Sequence, residues 1–387
     1  MPDALKVLVD NLLAQHLLTQ DEAGVFFQVS AHETNTNTDA AQPISYTPKN
    51  VLVTGGAGFI GSHFIRFMLA THPKVMIINF DKLTYAGNLD NIRDVAAQYP
   101  DRYTFIQGDI ADAPTVGKLL ATYPVDTIVN FAAETHVDRS ILDAGDFMRT
   151  DVLGTRVLLE AVRTHKVARM VQVSTDEVYG SIPEDAFTES SPLAPNSPYA
   201  ASKAGGDLLA RAYHMTYKVP VVITRCSKNY GPFQHPEKLI PLFTTNLLEG
   251  KKAPLYGDGL HVRDWLFVGD HCRALNVILT RGVTGEVYNI GGGEQKTNLE
   301  ITEHILTTLH LDVSRIMQVQ DREGHDRRYA IDCTKLRGLG WMPLYRFADA
   351  LTKTIHWYAD NMWWWKKIKN PAFQAYYAQQ YDKRSPI

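Results

Sequence analysis

The sequence predicts an α/β chain built on a doubly wound parallel sheet, followed by a smaller C-terminal lobe. Three observations predict it. From Asn50 onward short β-branched runs alternate with helical stretches, a glycine-rich turn follows the first run, and beyond Tyr230 the rhythm loosens as Gly and Pro become frequent. Alternation of this kind argues for parallel strands covered by helices on both faces. A chain of 387 residues, 45% of them hydrophobic, can bury a large core and usually divides into two lobes. With 39 basic against 42 acidic side chains and a net charge of -3, nothing general favours nucleic acid or an anionic membrane as partner, although a local basic pocket for phosphate remains compatible.

The leading segment places Leu5, Leu8, Val9, Leu12 and Leu13 on one helical stripe, and Thr19-Gln-Asp-Glu can cap a second short helix. This stripe reads as a surface-docked or oligomer-contact element. From His32 to Lys49 the chain is polar, with Pro43 and Pro48, and reads as a linker. The expected organisation is therefore an extension and linker over 1–49, a dinucleotide-binding domain over 50–230, and a mainly substrate-binding lobe over 231–387 from which later segments can return to the main sheet. Strands are expected at Val51 to Thr54, Val75 to Asp81, Tyr103 to Gln107, Thr127 to Phe131, Met170 to Ser174 and Val219 to Arg225. No internal repeat is evident.

Asp3 and Asp10 stand where a secretory signal would carry basic residues, and no apolar run is long enough to span a bilayer, so a cytoplasmic location is expected. Cys226, Cys272 and Cys333 are widely spaced and read as reduced core thiols. The fourteen histidines show no ligand spacing, and no metal is expected.

Lys49-Asn-Val-Leu-Val-Thr-Gly55-Gly-Ala-Gly58-Phe59-Ile60-Gly61 is a strand, a glycine turn and the start of a helix. Glycines let the backbone approach a pyrophosphate, and the helix N-terminus offers it unpaired N–H groups. Asp81, with Lys82 after it, ends the next strand about twenty residues on, where a carboxylate holds an adenosine ribose and repels a 2′-phosphate. The Rossmann-type reading and NAD, rather than NADP, follow. Asp109 and Ile110 are placed to flank the adenine, and Ala132 and Ala133 to let the phosphates approach.

Tyr199 and Lys203 share one face of a helix. An ammonium beside the phenol should lower its pKa, making it the base for a sugar hydroxyl while the cofactor takes hydride, with Thr175 orienting the same oxygen. Asp176 and Glu177 follow Thr175 directly. On a continuing strand they would face opposite ways, so Asp176 as a helix cap beside a solvated Glu177 competes with a joint catalytic role. The chemistry of a 4-keto sugar favours the joint role: Glu177 removes the acidified C5 proton and a protonated Asp176 protonates the leaving C6 hydroxyl, crowding keeping one carboxyl protonated.

Beyond these residues, Asp81-Lys-Leu-Thr-Tyr-Ala-Gly-Asn88-Leu, Ala132-Ala-Glu-Thr-His-Val-Asp-Arg-Ser140, Ser174-Thr-Asp-Glu-Val-Tyr-Gly180, Asn229-Tyr-Gly-Pro232 and His235-Pro-Glu-Lys-Leu-Ile-Pro241 stand out as blocks. From about Asn50 to the Trp-rich C-terminal segment the chain resembles the dTDP-glucose 4,6-dehydratases of the extended short-chain dehydrogenase family. The resemblance implies tightly held NAD, a homodimer joined through helices including the one with Tyr199, and a nucleotide-sugar pocket in the C-terminal lobe. It implies substrate contacts from Thr135, Lys228, Asn229, Glu237, Lys238 and Leu239, a base platform at Tyr256, and Arg263 and His325 near the diphosphate or nucleoside. UDP-hexose dehydration, and epimerisation or decarboxylation on the same scaffold, remain alternatives, as does a regulatory NAD-binding protein without turnover. Four positions depart from the family pattern. Lys228 stands for Asn, Glu323 for Pro and Thr135 for Ser, while His261 lies near the expected phosphate arginine; a Lys228–Glu323 pair is one expectation.

Overall fold

The computed structural model describes residues 45–381. The leading helices and most of the linker expected before Asn50 lie outside the described residues. Residues 45–49 are not a free linker, because they dock on the body. The Ser45 N–H donates to the Thr280 carbonyl at 3.0 Å, and the Tyr46 hydroxyl meets Thr127 Oγ1 at 2.7 Å. The aromatic ring of Tyr46 packs against the main core, an anchor that the polar composition of the segment concealed.

The six expected strands form within two residues of their predicted ends: β1 (Asn50–Thr54), β2 (Met76–Asp81), β3 (Tyr103–Gln107), β4 (Thr127–Asn130), β5 (Arg169–Thr175) and β6 (Val221–Cys226). Later come β7 (Lys228–Tyr230), β8 (Ala253–Tyr256), β9 (Val262–Phe267), β10 (Val287–Ile290), β11 (Gln295–Thr297) and β12 (Ile316–Val319). The main sheet runs β10-β6-β5-β4-β1-β2-β3, with every pairing parallel. Strand order reverses between β1 and β4, which opens a crevice at their C-terminal ends.

Alternation along β1 divides the core. Val51 and Val53 pack with Phe64, Ile65 and Met68 of α1 (Phe59–Thr71), whereas Leu52 faces the opposite layer with Leu119, Leu158 and Val162. Each such side chain taken from water contributes roughly 1.5–3 kcal/mol, so the sheet is the stable platform of the molecule. Asn130 ties the strands around the crevice, accepting from Thr54 Oγ1 at 2.5 Å and donating to Gln172 Oε1 at 2.8 Å.

The Tyr-bearing helix, α2 (Pro198–Tyr217), starts where the sequence supplies a cap: the Ser197 side chain accepts from the Ala200 N–H at 3.1 Å and Pro198 occupies the first turn. Beyond the sheet, a β11-β9-β7 sheet and a β12-β8 pair are covered by α3 (Leu239–Leu248), α4 (Asn298–Thr308) and α5 (Phe347–Asp360). Tyr230, Phe243, Trp265, Ile305 and Leu351 form their core. The Trp-rich segment then crosses back to the glycine-turn side, where Trp364 Nε1 donates to Asn91 Oδ1 at 2.8 Å.

A buried ion pair supports the end of β5. Arg225 Nε donates to Asp207 Oδ2 at 2.9 Å, Arg225 Nη1 donates to the Tyr179 hydroxyl at 2.8 Å, and that hydroxyl donates to Asn289 Oδ1 at 2.8 Å. Removing one partner strands a buried charge. Arg225→Met is therefore expected to lower stability by about 3–5 kcal/mol in urea unfolding, while the double variant Arg225→Met/Asp207→Leu recovers most of that loss.

Candidate active site

The glycine turn is built for close approach. Gly55 has φ +68°, and a Cβ there would lie 2.7 Å from the Ala132 nitrogen; a Cβ on Gly61 would run into the Gly55 carbonyl oxygen. Gly58 caps α1 with no side-chain hydrogen bond, so the first N–H groups of the helix are not satisfied by a cap of their own. Asp81 is pinned beneath the turn, accepting from the Ala57 N–H at 2.9 Å and the Leu83 N–H at 2.8 Å. A carboxylate has about four acceptor sites, so two remain for ribose hydroxyls. These features fit a dinucleotide.

One cleft, about 250 Å³ in volume, runs from this turn to the end of β5. It brings Gly58, Phe59, Ile60 and Gly61 together with Asp81 and Lys82 at one end, and Asp109, Ile110, Ala132 and Ala133 along its side. Thr175, Asp176, Glu177, Tyr199 and Lys203 line its floor, with Asn229 beside them. A second cavity holds Glu237, Leu239, Tyr256, Arg263 and His325, and the two share a wall of Thr135, Lys228, Gln234 and Lys238. Lys82 pairs with Asp109 at 3.1 Å.

The chain turns where the sequence left two readings open. Asp176–Tyr179 is a single 3₁₀ turn, and its cap is Thr175, whose Oγ1 accepts from the Glu177 N–H at 3.3 Å. Both carboxyl side chains consequently enter the protein: Asp176 and Glu177 are each 4% exposed. Their environments differ. Burial, reinforced by the charge of Glu177, pushes the Asp176 carboxyl up to about 7. Burial also opposes ionisation of Glu177, but Lys228 and Arg322 outweigh it and hold that group below the usual carboxylate range. The result is a carboxyl that keeps its proton up to about pH 7 beside one held ionised.

Two expectations need correction. The Tyr199 phenol lies well above its ordinary value, because burial and the charges of Glu177 and Asp151 outweigh a hydrogen bond with Thr175. The charge of Lys203 is engaged elsewhere: Nζ donates to the Val173 carbonyl at 2.9 Å and its field favours ionised Asp151. Lys228 does not pair with Glu323. Its Nζ sits 3.1 Å from Glu177 Oε1, since β7 aims it at the end of β5.

Around the second cavity Glu237 is buried, with Arg139 Nε donating to it at 2.9 Å; burial resists its ionisation, but His136, His235, Lys238 and Arg139 bring its carboxyl down to about 2. Arg263 Nη2 donates to the Asp326 carbonyl at 2.9 Å. His325 Nδ1 and His261 Nε2 converge on Asp321 at 2.6 and 3.2 Å, a cluster that spacing did not reveal. The two rings are stacked 3.7 Å apart and 15° from parallel, and with Asp321 they bring two ring nitrogens and a carboxylate close enough together to hold a metal ion. The carboxylate bridging two imidazole N–H groups accounts for the contact.

Sequence reasoning missed Arg322, which pairs with Asp138 at 3.1 Å and acts on Glu177. Arg322 lies in a stretch from which only its neighbours Glu323 and His325 were singled out. Trp364 and Ile368 also line the dinucleotide cleft, and nothing local in a Trp-rich helix indicates that.

A parallel sheet with a dinucleotide turn at its switch point, Tyr199 and Lys203 on one helix and two carboxyls at the end of β5 define an extended short-chain dehydrogenase. Comparison with known proteins narrows the class. The family model described as GDP-mannose 4,6 dehydratase matches residues 52–354. A curated dTDP-glucose 4,6-dehydratase of Streptomyces niveus is 53% identical over 326 residues, 83% of this chain and 96% of the relative. The solved structure of DesIV, a dTDP-glucose 4,6-dehydratase from Streptomyces venezuelae with NAD bound, shares 54% identity and a TM-score of 0.80, covering 83% of this chain and 100% of that one. A UDP-glucose 4-epimerase from Thermotoga maritima has the same fold at 26% identity and a TM-score of 0.75, covering 81% and 99%. The chain belongs to the dTDP-glucose 4,6-dehydratase family.

Gly55→Ala should force the turn off Ala132 and place a side chain at positive φ, costing about 1–3 kcal/mol. Thermal unfolding should show the loss, and calorimetric titration should show weaker dinucleotide binding.

Proposed function

We propose that this chain is an NAD-dependent dehydratase converting dTDP-glucose to its 4-keto-6-deoxy product. The observation that carries the reading is the pair of carboxyls buried side by side on one 3₁₀ turn and facing the same cleft as Tyr199, with Asp176 pushed up to about 7 and Glu177 held below the usual carboxylate range. Relatives about half identical along most of their length are named for that activity.

NAD held at the glycine turn and Asp81 would supply the hydride acceptor for C4 and, once reduced, the hydride donor for C6, and its cationic ring would add the positive charge that Tyr199 lacks here. Thr175 and Tyr199 address the C4 hydroxyl, with Tyr199 accepting its proton and Lys203, on the same helix face, tying that face to the Val173 carbonyl of β5. Glu177 removes the C5 proton, acidified by the neighbouring ketone. Asp176 gives its proton to the departing C6 hydroxyl, so water leaves, and Glu177 retains the proton that C5 needs at the end. Asp81 selects NAD by accepting from the ribose hydroxyls and repelling a 2′-phosphate. Thr135, Asn229, Glu237, Lys238 and Leu239 bind the sugar and its phosphates, while Tyr256, Arg263 and His325 take the nucleoside end.

In this division of labour residues 50–230 carry the dinucleotide and 231–387 mainly the sugar nucleotide, with β10 lent to the main sheet. A homodimer through α2 is supported by its exposed Leu208 and Met215, alongside exposed Leu142 and Met148 on the adjoining segment. No described helix is long and apolar enough to cross a membrane. The three unpaired cysteines support a cytoplasmic location.

Incubation with a panel of dTDP- and UDP-hexoses, followed by mass, tests the substrate: loss of water from dTDP-glucose is expected, and no loss from any sugar would refute the reading. Asp176→Asn should reduce elimination by roughly 10²- to 10⁴-fold while hydride exchange at C4 survives, as followed with C4-deuterated sugar. In the unaltered enzyme the acid form of Asp176 is lost as pH rises through about 7, so the elimination step, measured in single turnovers, should decline on that alkaline side.

A further inference from the structure

We infer that Lys228 is a positioning residue for the base: its ammonium grips Glu177, rather than the substrate diphosphate, and so settles which of the two adjacent carboxyls carries the proton. The inference rests on the dehydratase reading above.

Two buried carboxyls side by side compete for one proton, and nothing in their sequence says where it resides. Lys228 breaks that symmetry. It is the residue before Asn229 on β7, a strand paired to β9 with Lys228 opposite Trp265, and this register projects its Nζ to 3.1 Å from Glu177 Oε1. Thr175 Oγ1 lies 3.2 Å from Asp176 Oδ1, so a neutral hydroxyl faces the acid while a cation faces the base. Lys228 also favours ionised Asp176, but at Asp176 burial and the charges of Glu177 and Asp264 outweigh it, whereas at Glu177 the Lys228 ammonium donates directly and Arg322 and Arg263 add positive charge. Tyr199, Tyr329 and Lys238 also feel the charge of Glu177. Arg322 is already paired with Asp138 at 3.1 Å, and Arg263 donates to backbone carbonyls at 2.8 and 2.9 Å, whereas the Lys228 ammonium donates to Glu177 itself.

The sign of the effect is fixed. A neighbouring cation favours the carboxylate, so removing it moves protonation of Glu177 to higher pH, and a base that must be ionised then fails sooner as pH falls. Lys228→Met removes the charge at similar length, Lys228→Asn provides a second neutral variant, and Lys228→Arg restores the charge. For both neutral variants the acidic limb of the kcat profile should move to higher pH, kcat at pH 7 should fall roughly tenfold, and KM for dTDP-glucose should change by less than about twofold, whereas the arginine variant keeps the original limb. A titration of ¹³C-carboxyl-labelled glutamate in the NAD-loaded protein without sugar reads the same group independently of turnover. The Glu177 resonance should titrate at higher pH in both neutral variants. If it titrates where it does in the unaltered protein, or if KM rises roughly tenfold with the acidic limb unmoved, Lys228 serves the diphosphate and the inference is overturned. Failure of every sugar to react would refute the dehydratase reading, and the titration alone would then decide the role of Lys228.

Discussion

The chemistry depends on one electrostatic constraint: two consecutive carboxyls are buried together, and their surroundings assign them opposite charge states. Burial alone would neutralise both. It prevails at Asp176, where a like charge outweighs the more distant pull of Lys228, and is overridden at Glu177, to which Lys228 donates directly and on which Arg322 also acts. An acid and a base thus coexist a residue apart. Such a pair suits elimination across two adjacent carbons, since one group donates as the other accepts.

Holding that pair requires a stiff frame, and the fold supplies it in layers. β5 is buried on both faces along its whole length, so it is fixed before it reaches the cleft. Thr175 ends the strand and starts the 3₁₀ turn, changing the direction of the chain so that successive side chains both enter the site. Below that turn, the Asp207–Arg225–Tyr179–Asn289 chain joins α2, β6 and β10. The helix carrying Tyr199 and Lys203 is thereby referenced to the strand carrying the acid and base. A strand contributed from residue 287 onward is part of this frame, which explains why sequence and spatial domains do not coincide.

Much of this is legible in the sequence, and for physical reasons. Strands show as β-branched runs because both their faces are buried, and the glycine turn shows because a Cβ at Gly55 or Gly61 has nowhere to go. The placement of Asp81 follows from the length of a βαβ unit. Legibility fails where long-range contacts decide. Whether Asp176 and Glu177 converge depends on a turn that adjacent spacing cannot reveal. The state of the Tyr199 phenol depends on where Lys203 spends its charge, and Asp151, far away in sequence, takes part of it. The partner of Lys228 is set by strand register, and Trp364 reaches Asn91 across the whole chain.

The most direct test is infrared difference spectroscopy of the NAD-loaded protein near neutral pH, reading the C=O stretch of protonated carboxyls in the unaltered chain, Asp176→Asn and Glu177→Gln. With the proton on Asp176, a protonated-carboxyl band should disappear in the Asp176 variant and persist in the Glu177 variant. A band lost with Glu177 instead, or from neither, would contradict the opposite charge states on which the chemistry depends.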